Sequence, residues 1–144
     1  MCFIMVRKFT ATDLDAVMLI WKETNRTAHS FIAPAYWESH FQEVKEQLPQ
    51  AEVYVFEEGG EVQGFIGLAE NLIAGIFVRE KAQGRGIGRQ LLNQAKAVRN
   101  ELFLQVYSKN SAAAEFYRKQ GFYTTKSQID CSTGETELIM EWRK

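Results

Sequence analysis

Cysteine is nearly absent from this chain of 144 residues: Cys2 and Cys131 are its only two. That is too few for a disulfide framework or a thiolate metal site, so a reduced, cytoplasmic setting without a bound metal is expected. Long apolar runs are missing as well, and no stretch reaches the ~18 residues of a membrane span. The apolar start at residues 1–6 is too short for a signal-peptide core and follows no basic residue. Neither sign of charge dominates; a formal net charge of −1 argues against nucleic acid as a partner. There are only 2 histidines and no Gly-x-Ser-x-Gly, which argues against a serine hydrolase. Repeats, low-complexity tracts and linkers are lacking. With 46% apolar and 24% charged residues, positions 1–144 read as one soluble domain.

Periodicity supplies an element order of β α α β β β α β α β β. Residues 6–9 form a short strand, and Thr10 or Thr12 caps a helix whose apolar face is Leu14, Val17, Met18 and Trp21. Residues 24–33 read as a polar loop holding His29. Pro34 opens a second helix with Trp37, Phe41, Val44 and Leu48 as its stripe, and Pro49 ends it. Strands at 53–56 and 62–69 flank a Gly59-Gly60 hairpin turn. The run at 72–78 lacks alternation, so it is expected to be a central strand covered on both faces. A helix near 91–98, a strand at 102–106, a helix at 111–120 capped by Gly121, and two last strands complete a mixed α/β domain.

Charge and glycine gather in one place. Arg79, Lys81, Arg85, Arg89, Lys96 and Arg99 face the single acid Glu80 between positions 79 and 99, a local +5 that leaves −6 for the remainder. Within it lies Gln83-Gly84-Arg85-Gly86-Ile87-Gly88-Arg89, between the apolar strand and a helix. Glycines let a backbone approach a ligand closely, and the first N–H groups of a helix have no partners. Those donors and the helix dipole suit a pyrophosphate. A dinucleotide fingerprint fails because its third glycine would fall on Arg89, and no Gly-Lys-Ser/Thr of a nucleotide P-loop is present. What stands is Gln-x-x-Gly-x-Gly, from Gln83 to Gly88.

That motif, after Ile76-Phe77-Val78, resembles the acetyl-CoA motif of the GNAT superfamily of N-acetyltransferases. A second, independent segment, Asn110-Ser111-Ala112-Ala113-Ala114-Glu115-Phe116-Tyr117-Arg118-Lys119-Gln120-Gly121-Phe122, is similar to the superfamily's later Asn-x-x-Ala-x-x-Phe-Tyr-x-x-x-Gly-Phe. The resemblance covers residues 62–122 closely. It implies a largely antiparallel central sheet with helices on both faces and acetyl-CoA as cosubstrate. Backbone groups of Ile76, Phe77 and Val78 would take the pantetheine as an added strand. Gln83, Gly84, Arg85, Gly86, Ile87, Gly88 and Arg89 would take the pyrophosphate, and Asn110 would reach the pantetheine from the other side.

The implied reaction is direct attack by a primary amine of a small molecule or protein. An N–H near Phe77 would stabilise the oxyanion, worth roughly 3–4 kcal/mol. Tyr117 is the implied general acid toward the CoA thiolate, although a free phenol at pKa about 10 is uphill of a thiol at about 8.5 by about 2 kcal/mol. The base is open between Glu70 acting through water, His29, and bulk water. Both side chains have the alternative of only shaping the acceptor pocket. Another short acyl-CoA donor, a non-catalytic acyl-CoA sensor, and a monomeric or homodimeric state are the remaining alternatives.

Overall fold

Residues 4–144 are described by a computed structural model, in which every strand joins one open sheet ordered β1-β2-β3-β4-β5-β7-β6. The strands are β1 (Ile4–Lys8), β2 (Glu52–Glu58), β3 (Glu61–Ala69), β4 (Leu72–Val78), β5 (Glu101–Tyr107), β6 (Tyr123–Ile129) and β7 (Thr136–Arg143). The helices are α1 (Leu14–Ala28), α2 (Pro34–Gln47), α3 (Ile87–Val98) and α4 (Ser111–Lys119). The element order is the expected one. All ladders are antiparallel except β4 with β5. Cys2 lies outside the described residues, and Cys131 is an exposed free thiol. Among the described residues no helix is long and apolar enough to cross a membrane.

Alternation along the strands divides the core into two layers. On one face Tyr54, Phe56, Ile66, Leu102, Leu104 and Met140 pack with Leu91, Leu92 and Ala95 of α3 and Ala114 of α4. On the other, Val53, Val55 and Phe65 pack with Val17, Met18 and Trp21 of α1 and Trp37 of α2. Leu91 is fully enclosed whereas Leu19 on the outer face of α1 is 46% exposed. Leu91→Ala is therefore expected to cost about 2–5 kcal/mol of unfolding free energy in urea titration, and Leu19→Ala less than about 0.5 kcal/mol.

Two expectations are corrected. Residues 24–28 are not a loop: α1 runs through them because their polar side chains find partners inside the helix. Thr24 and Thr27 donate to the carbonyls of Ile20 (2.6 Å) and Glu23 (3.1 Å), and buried Asn25 donates to that of Trp21 (2.9 Å). His29 thus becomes the C-terminal cap of α1 rather than a loop residue. Nor is the 72–78 strand covered on both faces. Ile73 is its one buried residue, because the sheet opens beside it.

Candidate active site

The opening starts from one extra residue. Pairing of β3 with β4 runs from Gly64↔Val78 to Gly67↔Gly75 and then steps to Leu68↔Ile73, so Ala74 is a bulge in β4. A bulge bends its strand and sharpens its twist, which ends regular pairing on the far side. β4 accordingly meets β5 only at Leu72↔Phe103 and Ile73↔Leu104. Beyond that point the strands diverge around a cleft of about 1360 Å³ that runs from the glycine loop, past Tyr117 and Asn110, to His29 and Trp37.

Two hydrogen bonds fix which peptide groups of β4 look into this cleft. Arg79 donates its N–H to the carbonyl of Gln63 in β3 (2.8 Å), whereas the Val78 carbonyl accepts from Gln83 Nε2 (3.0 Å) on the open side. Successive residues of a strand direct their peptide groups to opposite edges. Phe77 therefore spends its N–H and carbonyl on β3, opposite Phe65, and Ile76 and Val78 face the cleft. Of the three residues expected to offer backbone groups to the pantetheine, Phe77 thus has its own turned to β3. The Phe77 ring instead folds over Gly75, where it leaves no room for a Cβ, and tilts against Phe65 at 5.0 Å.

At the other end the loop closes with Gly84 at φ 79° and Gly86 at φ 84°, a left-handed backbone that side chains strain to adopt. Gly86 is the N-cap of α3 and supplies no side-chain acceptor, and the first helical bond is Gln90 N–H to the Gly86 carbonyl (3.1 Å). The N–H groups of Ile87, Gly88 and Arg89 thus have no helical acceptor. Arg85 is held by Glu58 at 2.5 Å, and a Cβ added at Gly88 would touch the Phe116 ring at 3.4 Å.

The walls meet at the residues predicted for chemistry. Tyr117 lines the cleft between the rings of Phe116 (5.4 Å) and Phe122 (5.7 Å), and burial pushes its pKa up to about 12. Asn110 caps α4 by accepting from the Ala113 N–H (3.4 Å), and its Nδ2 lies 3.3 Å from His29 Nε2. His29 Nδ1 lies 3.1 Å from Asn25 Oδ1, and burial lowers the ring pKa to about 4. So placed, His29 is too weakly basic to draw a proton from an ammonium near pKa 10.4. Glu70 is not brought to the site. It sits in the β3–β4 turn at φ 54° with its carbonyl accepting from Arg99 Nε (2.8 Å), about 20 Å of strand away from Ile76.

Three cleft residues were not singled out by the sequence. The Tyr107 hydroxyl donates to Asp130 Oδ2 at 2.6 Å. That bond, helped by the Ser132 N–H, holds Asp130 below the usual carboxylate range, while burial and the same bond push the Tyr107 phenol up. Glu137 stands opposite Tyr107 in the β5–β7 ladder and accepts from Gln128 Nε2 (2.7 Å). A signal for Tyr107 existed: Phe103, Gln105 and Tyr107 alternate with buried Leu102, Leu104 and Val106, which puts Tyr107 on the sheet face away from α3. Asp130 and Glu137 carry no such local mark.

Residues 49–124 match the family model described as an acetyltransferase (GNAT) domain. The chain is 35% identical to the peptidyl-lysine N-acetyltransferase YiaC of Escherichia coli (strain K12), over 96% of each chain. It is 28% identical to the peptidyl-lysine N-acetyltransferase YjaB of Salmonella typhimurium, over 87% of this chain and 88% of that one. The fold is similar to the solution structure of apo YjaB from Escherichia coli, with a TM-score of 0.86, 25% identity and 97% of each chain covered. It is also similar to the crystal structure of the PaiA N-acetyltransferase of Thermoplasma acidophilum in complex with coenzyme A, with a TM-score of 0.85, 23% identity and 99% of each chain covered.

Proposed function

Because this chain belongs to the GNAT family of acetyltransferases, we propose that it moves an acetyl group from acetyl-CoA to the side-chain amine of a lysine in a peptide or protein. One observation carries the reading: the divergence of β4 from β5 leaves the peptide groups of Ile76 and the N–H of Val78 open along a cleft that ends on N–H groups of α3 without helical acceptors. An extended, amide-bearing arm fits the first, and a pyrophosphate fits the second.

The roles follow from that fit. Ile76 and Val78 hold the pantetheine, and the Ile76 N–H, next to Phe77, is the oxyanion donor. Ile87, Gly88 and Arg89 donate N–H groups to the pyrophosphate, with Arg85 and Arg89 supplying charge. The lysine nitrogen attacks the thioester carbon, a C–N bond forms, and the C–S bond breaks as Tyr117 hydrogen-bonds the departing sulfur. The Tyr107 hydroxyl spends its one proton on Asp130, so its oxygen can only accept. Together with the Glu137 carboxylate it offers acceptors to an ammonium entering beside it, which supports a cationic acceptor. Glu70 and His29 do not take the proton. The amine attacks from the fraction already deprotonated in equilibrium with the buffer, and the proton it sheds on forming the amide balances the departing thiolate as CoA thiol.

Calorimetry with acetyl-CoA, followed by mass spectrometry of lysine peptides and small amines, tests the proposal. Heat with acetyl-CoA and a 42-Da gain on lysine are the expected results, the mass being that of an acetyl replacing a proton (about 42 Da by stoichiometry). Binding without turnover on any acceptor would favour a sensor, and no heat at all would remove the acetyl-CoA reading.

A further inference from the structure

A directed line of hydrogen bonds joins α4 to α1 across the cleft, and the polarity of every link is dictated from its ends. At one end the Ala113 N–H can only donate, so Asn110 turns Oδ1 toward it (3.4 Å) and Nδ2 toward His29 Nε2 (3.3 Å). At the other end the Trp21 carbonyl can only accept, so Asn25 turns Nδ2 toward it (2.9 Å) and Oδ1 toward His29 Nδ1 (3.1 Å). The ring must then carry its proton on Nδ1 and present Nε2 as an acceptor. A second ring proton would set one N–H against another at Asn110. The imidazole is also enclosed by Phe31 (5.7 Å), Trp37 (5.3 Å) and Tyr107 (5.3 Å), an environment that disfavours charge.

Resting on the acetyl-CoA reading of the cleft, we infer that His29 is a positioning residue: its Nδ1–H tautomer fixes the Asn110 amide so that one Nδ2 proton is held by the ring and the other serves the pantetheine. Asn110 lines the cleft, and an amide nitrogen has two protons, so the second is the one left for a ligand. Without the ring, the Asn110 amide is free to rotate or to turn its oxygen inward. His29 thereby ties the helix beside the acceptor to the helix beside the cofactor without touching either reacting atom.

Nitrogen-15 NMR of the imidazole in the wild-type protein tests the tautomer. The expected spectrum shows a protonated Nδ1, an unprotonated Nε2 and no titration near pH 6.5 (the pKa of an unperturbed histidine is about 6.5). An Nε2–H tautomer, or titration near that pH, would overturn the inference. Steady-state kinetics supply the second readout. His29→Ala is expected to raise the acetyl-CoA KM about five- to tenfold, the weight of one hydrogen bond, with an unaltered pH–rate profile. His29→Gln, which keeps an acceptor where Nε2 stands, is expected to recover most of that loss. An unchanged KM in His29→Ala, or a fall in kcat with loss of the acidic limb, would defeat it. Failure of the acetyl-CoA reading itself shows separately, as absence of calorimetric heat in the wild type.

Discussion

Tyr117→Phe is expected to lower kcat by about 10- to 150-fold while the acetyl-CoA KM changes by less than about twofold, the range expected for one hydrogen bond to a charged group. The substitution keeps the ring between Phe116 and Phe122 and deletes only the hydroxyl. Its contribution belongs to the moment when sulfur acquires charge, so it is absent from ground-state binding. Burial widens the mismatch between phenol and thiol. With Tyr117 at about 12 and a thiol near 8.5, full proton transfer is uphill by roughly 5 kcal/mol. The hydroxyl therefore works by donating a hydrogen bond to the leaving sulfur rather than by surrendering its proton early. The sign of the pH dependence follows. A raised pKa keeps the donor form present at all lower pH, and it is lost only as pH climbs through about 12. Any alkaline limb below about pH 10 must come from another group and survive in the variant. Unchanged turnover would take Tyr117 out of the chemistry, and a neutral-range limb that vanishes with the hydroxyl would show that Tyr117 titrates there and surrenders its proton.

Gly86→Val is expected to weaken acetyl-CoA binding by about 10²–10⁴-fold, to be read by calorimetry. Gly86 holds φ 84° and starts α3. Valine in that region costs about 1–3 kcal/mol, and its relief rotates the following N–H groups away from the cleft. Loss of even one charge-assisted bond adds about 1.5–3 kcal/mol, which brings the sum to the stated range. Gly134→Val is the control, since Gly134 has a similar φ of 75° in the β6–β7 turn but does not line the cleft. It should lower the melting temperature while sparing acetyl-CoA affinity. Equal affinity in the Gly86 variant would mean that the α3 amides are not where the cofactor binds.

These two residues were legible early, for different reasons. Gly86 is marked because only glycine suits a left-handed N-cap beside a ligand, a requirement written into a few adjacent positions. Tyr117 is marked by its place in a motif whose other members, Asn110 and Gly121, do cap the two ends of α4, with Gly121 at φ 93°. His29 and Glu70 were different. Each is a titratable side chain near a predicted turn, and nothing local distinguishes a half-buried ring inside an aromatic enclosure from a carboxylate at the wrong end of a strand.

The chain by itself determined the order of strands and helices, the helix faces and the glycine loop, because periodicity and left-handed backbone act over a few neighbouring residues. Folding in three dimensions decided the rest. The Ala74 bulge parts β4 from β5 and selects Ile76 and Val78, not Phe77, to face the cleft. His29 loses its basicity to burial, beside Trp37 and Tyr107, which lie 8 and 78 positions away along the chain. Tyr107 acquires Asp130, at 23 positions, as the partner that leaves its oxygen an acceptor. Desolvation, hydrogen-bond polarity and strand register are sums over neighbours in space, and no stretch of sequence holds them together.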